Sequence, residues 1–590
     1  MSQSPDLATA PEPSRSEDVA GYRRVHPAEV AHHVDRLMAD AYQEPGLEEH
    51  PLDEASRWDF YEGHPTAQFR LHNLDFIRSL TETYRQTGDL AHARKAEEIV
   101  HRWVAARGMP DQTPAWHGHA VALRTSNLAH LVAAGYCADG TLGDSLRVHA
   151  DFLAAEDNYE GAWNHGLDQN IALLQAGQAL DDKSLAETAA GRLAQAAPKY
   201  VDEQGVVSEQ ATSYSLYMYQ RLEVAATELR RAGLEVPPAL RRADLIPTFL
   251  AWATRPDGVL VQVGDSKIEP VAVLAGTPLE FPATHGRSGT PPVGRTMFYD
   301  DGWGFIRSGW GERRPMADES HLTVRYGTFR RIHGHRDHTS VLWYTGGRPV
   351  LEDPGFTIYG DTAVRAYEQL EHSHSLLHLE GAGQYGWDKG TELLHHGSFK
   401  LDGELDAHVI HLGGYSYPDT PRTRSILHVP ALDILLVRDA ANCPRHVTAH
   451  QNWQFGASFA DVELAVDGRS ARLSDGRGTV TLAQHLPVDA AAHRQGESEP
   501  LAGWVATGKG VRSPAPSLRF SRRGTQLSYV TSLTTRSDLS VTLANDGLVR
   551  VTLKDLGEEP IALMRFDEAT GFQPTSLTPG RSTRWDHTEG

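Results

Sequence analysis

The chain has 590 residues, 40% of them apolar, and a formal net charge of −21 at pH 7. A single core does not grow to this length, so two large domains or several smaller ones are expected. The acidic balance excludes general nucleic-acid or anionic-membrane binding, which want a basic footprint, but leaves room for an anionic ligand wherever arginines line a pocket.

The N-terminal stretch Met1 to Pro13 lacks the basic start and apolar run of a secretory signal. It reads as a disordered tail over residues 1–20. A cytoplasmic location is expected, or a secreted one if further residues precede Met1. No apolar run approaches the roughly 18 residues that cross a bilayer. The only cysteines are Cys137 and Cys443, far apart, so no disulfide framework is implied.

From residue 21 to about 285 the chain reads helical. Leu71, Leu74, Ile77, Leu80 and Tyr84 make one apolar stripe before Thr87-Gly88-Asp89. Ala96, Ile99, Val100, Trp103 and Val104 make another at helical spacing. Further blocks run from Leu123 to Ala134, Leu167 to Leu180, Ser184 to Ala196, Tyr214 to Ala232 and Ala239 to Ala253, with turns such as Ala138-Asp139-Gly140 between them. Successive antiparallel helices make a bundle, a solenoid or a closed toroid, and periodicity does not choose among the three.

After the Pro/Gly-rich connector Gly286 to Gly294 the pattern alternates, and a β-domain is expected over 295–590. His321–Tyr326, Val409–Leu412, Thr479–Leu482, Leu539–Leu543 and Val549–Leu553 read as strands, and Asn545-Asp546-Gly547 as a hairpin turn. Many short alternating strands indicate a large antiparallel β-sandwich.

Several stretches could carry chemistry. Trp116-His-Gly-His119 to Arg124 offers an aromatic surface and a cation for a sugar ring and a carboxylate, although Arg124 equally suits a structural ion pair. Asn164 and His165 open a helix, where anions are favoured, or Asn164 is an ordinary cap. Tyr214, Tyr217 and Met218 share a helical face, and Tyr214 is either an acid/base group or core.

The stretch His333-Gly-His335-Arg-Asp337-His338 is the densest. On a strand, His333, His335 and Asp337 would project together. Asp353-Pro-Gly355 and His374 follow. Two imidazoles, a carboxylate and a further His suit a borderline-soft divalent ion such as zinc. Against this, 31 histidines make chance clusters common.

In order, the features are a helical domain, Asn-His, Glu-Gln-x-x-x-Tyr, a β-domain, His-x-His-x-Asp, Asp-Pro-Gly and His-(six residues)-Gly. This order resembles the heparinase II/III-like superfamily of polysaccharide lyases, which includes heparin-sulfate and alginate or oligo-alginate lyases. The resemblance runs from about Gln68 to the end, weakening after residue 400. It implies an α+β multidomain protein, an N-terminal (α/α) toroid followed by a C-terminal antiparallel β-sandwich, with the active site in the groove between. By position, Asn164 and His165 would neutralise a uronate carboxylate, and Tyr214 would be the catalytic tyrosine. His333 would lie at the catalytic site, and His335, Asp353 and His374 would hold a mainly structural zinc ion. Asn73, Trp116 and Arg124 are taken as substrate contacts. The chain departs from the family at Ser375-Leu376, where Asn-Thr is usual, and at Ser215, where His is common. His338, His372 and His378 are extra imidazoles.

The implied reaction is β-elimination on an anionic oligo- or polysaccharide. A proton leaves C5 of a uronic acid and the 4-linked oxygen is expelled, leaving a 4,5-unsaturated end. Asn164, His165 and Arg124 would stabilise the enolate-like charge. Tyr214 would protonate the leaving oxygen and also act as base in syn elimination, with His333 the base in anti elimination. Two alternatives stand beside it. A glycoside hydrolase on the same architecture would need opposed carboxylates, for which Glu209 and Asp265 are the nearest candidates. The other is a non-catalytic glycan-binding relative. The sugar, endo or exo mode, and homo-oligomerisation are left open.

Overall fold

The computed structural model describes residues 12–575 other than 54–57, 138–139, 313, 329–331, 361, 382–389, 402–404, 418–419, 546 and 554–559. Residues 1–11 of the expected tail, Ala138-Asp139 of one expected turn and Asp546 of another thus lie outside the described residues. Just beyond the tail's start, Tyr84 OH donates to Pro13 O (2.9 Å) and Ser14 N–H to Ala134 O (2.6 Å). Among the described residues no helix is long and apolar enough to cross a membrane.

The chain forms two compact units, Met1–Asp202 with Tyr217–Asp244, and Glu203–Leu216 with Leu245–Gly590. The helical unit contains α1 (Pro27–Met38), α2 (Pro65–Asn73), α3 (Arg78–Thr87), α4 (Leu90–Arg107), α5 (Gly118–Ala133), α6 (Thr141–Ala154), α7 (Asn164–Ala179) and α8 (Lys183–Tyr200). The division between the units falls inside α9 (Thr212–Arg231). Helix starts follow the local chemistry. Asp89 and Asp182 cap α4 and α8 by accepting from the N–H groups of Ala91 and Ser184, which satisfies donors that have no intrahelical partner.

One expected helix is two. The stripe from Leu71 to Tyr84 breaks at Leu74, whose φ of 59° is left-handed. Asn73 causes the break: its Oδ1 accepts from the N–H of Asp75 (2.9 Å), and its carbonyl accepts from Asn127 Nδ2 (2.8 Å). A short polar side chain that offers its neighbour's backbone a non-helical partner ends the helix there. Apolar spacing does not register this, because the stripe continues through the break.

The second unit is dominated by antiparallel sheets, as expected. Strands Thr296–Tyr299, Trp303–Arg307, His321–Arg325, Val341–Thr345 and Arg348–Leu351 form a five-stranded meander. A ten-stranded sheet follows, built on the long strands Leu405–Tyr417, Thr420–Val429, Ile434–Gln454 and Ser517–Thr534, and then a four-stranded meander from Leu539 to Pro574. Alternation explains the layering. Ile410, Ile426, Leu435 and Val437 pack in one core with Leu322, Val324 and Trp343 of the five-stranded sheet. Their sequence neighbours Val409, Leu427, Ile434 and Leu436 pack in a second core with Leu539, Val549, Val551 and Met564 of the four-stranded sheet. With a side-chain period of two, both faces of the large sheet are buried over this stretch.

Candidate functional site

In the second unit the site is assembled around Asp265. Thr212 Oγ1 donates to Val261 O (2.6 Å), Ser213 N–H to Ser266 Oγ (3.3 Å) and Lys267 N–H to Ser213 Oγ (3.1 Å). These bonds fasten the first turn of α9, which carries Tyr214, to the segment carrying Asp265. Gly264 permits the close approach. Its φ is +63°, and a Cβ there would meet Gln210 O and His333 O, each at 2.6 Å. Asp265 N–H donates to His333 O (2.9 Å), which draws the histidine loop onto the same segment.

Asp265 is fully buried and accepts from several donors. His333 Nδ1 lies 2.9 Å from Oδ2, His335 Nε2 3.0 Å from Oδ1, and Tyr359 OH 3.0 Å from Oδ2. Arg365 adds Nη2 at 2.6 Å, and its Nη1 pairs with Oδ1. Burial works against the charge, but the bonds from His333 and His335 and the charge of Arg365 prevail, so the carboxyl stays well below the usual range. Tyr214 lies flat on His333, ring centroids 3.5 Å apart and planes 12° from parallel, and its hydroxyl is 3.0 Å from that of Tyr359. Burial pushes the Tyr214 phenol above its ordinary value; the Tyr359 bond opposes this, and the charges of Asp265 and Glu209 reinforce it. Burial and Asp265 also raise Tyr359, so both phenols hold their protons at neutral pH.

His335, Asp353 and His374 converge beside this network. All three are buried, and one ligand atom from each lies within 4.8 Å of the others. Asp265 takes the Nε2 proton of His335, leaving the Nδ1 lone pair 3.9 Å from Asp353 Oδ1. Asp353 Oδ2 lies 2.9 Å from Nδ1 of His374, which leaves Nε2 as that ring's lone pair. Among the described residues neither His335 Nδ1 nor His374 Nε2 has a hydrogen-bond partner. Two buried lone pairs and a carboxylate facing one another fit a cation, and each acceptor left unmade would cost about 1–3 kcal/mol. Gly355 makes the turn after Asp353 with φ +69°, its N–H donating to Asp353 Oδ1 (3.1 Å).

The expected strand through His333 and Asp337 is not formed. Residues 332–340 are a loop between the strands His321–Arg325 and Val341–Thr345, with Thr339 left-handed at φ 72°. His333 and His335 share Asp265, whereas Asp337 turns to Arg325 (3.4 Å). His338, His372 and His378 stand outside the ligand triad. Ser215 donates to Ala211 O (3.1 Å) within α9, and Ser375 Oγ accepts from Gln454 N–H (3.0 Å).

In the helical unit, Trp163 occupies the cap position of α7 and makes no side-chain cap bond, so Asn164 is the first helical residue and not an ordinary cap. Asn164 is buried. His165 stacks between His119 and Trp163, ring centroids 3.9 Å away in each case, and its Nδ1 is 2.7 Å from Glu160 Oε2. With that proton committed to Glu160, Nε2 donates only when the ring is charged. One turn on, Asp168 lies 2.9 Å from His119 Nε2 and accepts from Tyr217 OH and Arg221 Nε, both at 2.5 Å.

Trp116 and Arg124 are not exposed ligand contacts. Arg124 has no accessible surface, lies over the rings of Trp103 (4.2 Å) and Trp116 (5.3 Å), and donates to His149 Nε2 (2.8 Å) and His72 O (2.6 Å). Trp116 donates to Arg107 O (2.9 Å). Both serve the packing of the helical unit. Asn73, expected to touch substrate, is buried and shapes the turn after α2.

Sequence reasoning missed Tyr359 and Arg365, and weighed Asp265 only as a hydrolase carboxylate. Tyr359 lies six residues beyond Asp353, so its nearness to the Asp-Pro-Gly turn was a usable signal. Arg365, on the short helix Thr362–Gln369, offered none.

A family model described as heparinase II/III-like, C-terminal, matches residues 292–538. Among solved structures, heparinase III superposes with a TM-score of 0.74 at 15% identity, covering 91% of this chain and 91% of that one. A heparan sulfate lyase HepC mutant from Pedobacter heparinus superposes with a TM-score of 0.65 at 18% identity, covering 93% and 91%. No curated protein matches the chain by sequence. Residues 292–538 therefore match the heparinase II/III-like C-terminal family, within a chain whose fold is similar to that of heparinase III.

Proposed function

We propose that the protein is a lyase that cleaves a uronate-containing oligo- or polysaccharide by β-elimination, leaving a 4,5-unsaturated uronate end. The observation that carries this reading is the stacking of Tyr214 on His333, 3.5 Å between ring centroids. Elimination needs a base for the C5 proton and an acid for the departing oxygen, and a protonated phenol beside an imidazole supplies that pair. Tyr214 is the acid. His333 is the base where the groups leave from opposite faces; its Nδ1 lies 2.9 Å from Asp265 Oδ2 and its Nε2 3.5 Å from Glu209 Oε2. Asn164 and His165 receive the uronate carboxylate; this assignment rests on the family resemblance of the Asn-His pair.

The ion held by His335, Asp353 and His374 is taken as zinc, which favours imidazole and carboxylate ligands, and its role is to fix the loop that presents His333. The hydrolase alternative is weakened by Asp265. Its oxygens are engaged by His333, His335, Tyr359 and Arg365, and its depressed pKa denies it the proton a glycosidic acid must carry.

The test is ultraviolet absorbance of the conjugated unsaturated uronate across a panel of uronate polymers and short oligomers, with heparan sulfate included because a similar solved structure bears that name. A rise with any member supports the reading and gives the substrate class. Cleavage that incorporates water and leaves no unsaturated end overturns it in favour of a hydrolase.

A further inference from the structure

The ten-stranded sheet carries a second polar site, whose lining residues are not those of the histidine–aspartate network. On adjacent strands, His378 pairs with His450, Asn452 with Arg519, and Ser517 with Arg494. Their sequence neighbours Leu377, Leu379, Trp453, Leu518 and Phe520 all enter the apolar core. Alternation therefore puts His378, His450, Asn452, Arg519 and Arg494 on the opposite, outward face. Tyr367, His372 and the segment Pro500–Gly503 line an open cleft with that stripe, of about 280 Å³. Such a volume is close to the lower end of small-molecule sites, about 300–1,000 Å³.

Its donors point to an anion. Arg519 spends only Nε on the protein, donating to Asn452 Oδ1 (2.9 Å), and among the described residues its two Nη atoms carry no hydrogen bond. Arg494 has one loose ion pair, 3.6 Å from Glu497. The His372 ring lies beside Tyr367, ring centroids 6.0 Å apart. The acidic groups at the site already have partners. Glu380 lies 2.8 Å from His450 Nε2, and Glu371 is shared by His378 (2.9 Å) and Arg422 (3.7 Å). Burial first, and then the charge of Arg494, lower the pKa of Arg519, so the two guanidiniums repel each other as they stand. An oxyanion between them would reverse that repulsion. The rings of His378 and His450, stacked 6.1 Å apart and 12° from parallel, and Tyr367 offer flat apolar surface beside the charge.

We propose that this cleft is a binding subsite for a small organic oxyanion, a carboxylate or sulfate ester on a sugar-sized body, held by Arg519 and Arg494 over the His378–His450 stack. That the body is a sugar rests on the proposed function; the oxyanion chemistry does not.

The test is titration calorimetry of the full chain, carrying Tyr214→Phe so that no turnover intervenes, against D-glucuronate, D-glucose 6-sulfate and uncharged D-glucose. Binding of one or both anions without glucose binding is expected, weakened about tenfold in Arg519→Gln and in Arg494→Gln. The anion that binds identifies the source. Addition of Asn164→Ala should leave the affinity unchanged, which separates this subsite from the assigned carboxylate site even if the lyase reading fails. Silence with both anions at millimolar concentration overturns the proposal, as does equal affinity in the arginine variants.

Discussion

The hydroxyls of Tyr214 and Tyr359 lie 3.0 Å apart, and Tyr359 passes its own proton to Asp265 at 3.0 Å. Tyr359 therefore accepts from Tyr214, so the Tyr214 proton faces inward until a substrate oxygen competes for it. This supports a donor role for Tyr214. In Tyr214→Phe the ring still covers His333 while the proton is lost. Turnover should fall about 10²–10⁴-fold with the melting temperature little changed. Near-full turnover, read as formation of unsaturated product, would sink the assignment.

Tyr359→Phe tests the relay without touching the proposed acid. The ring keeps its contact with Phe356 (centroids 4.5 Å apart), but Tyr214 and Asp265 each lose a partner. The expected loss is smaller, about tenfold in kcat with KM nearly constant, because one neutral hydrogen bond orients the phenol. A change in KM alone would show that Tyr359 contacts substrate and does not orient Tyr214.

What sequence reading made legible is local. The family resemblance singled out His335, Asp353 and His374, which do converge, and the alternating strands announced both sheet cores. Asp265 could not be weighed in the same way. Its four partners lie between 68 and 100 residues away along the chain, and only the fold gathers them. Arg124 fails for the opposite reason. An arginine beside tryptophans reads as a sugar platform, yet here helix packing buries the cation over Trp103. The loop at residues 332–340 misled because period-two spacing was credited to a strand, whereas His333 and His335 meet through a shared carboxylate.

The ligand triad makes a prediction that does not depend on turnover. Elemental analysis of the purified protein should find about one divalent ion per chain, and none in His335→Ala or His374→Ala. Chelation should lower the melting temperature of the wild type and leave the variants unmoved, since an ion that binds only the folded state stabilises it. Equal metal content in wild type and variants would remove the site.

Asp168 in the helical unit gives a pH dependence with a definite sign. Burial opposes its charge, but Arg221 and the bonds from His119 and Tyr217 hold the carboxyl well below its usual range. A carboxylate depressed in the folded state contributes stability that is complete above its unfolded value, about 4, and disappears as pH falls through the lower folded value. Asp168→Asn leaves Arg221 buried without its counter-ion and should cost about 3–5 kcal/mol near neutrality. The gap between wild type and variant, measured by denaturant unfolding, should stay constant down to about pH 5 and narrow only in more acidic solution. A gap that instead opened as the pH fell would mean that Asp168 enters the folded state protonated, and the cluster with Arg221 would then need a different charge assignment.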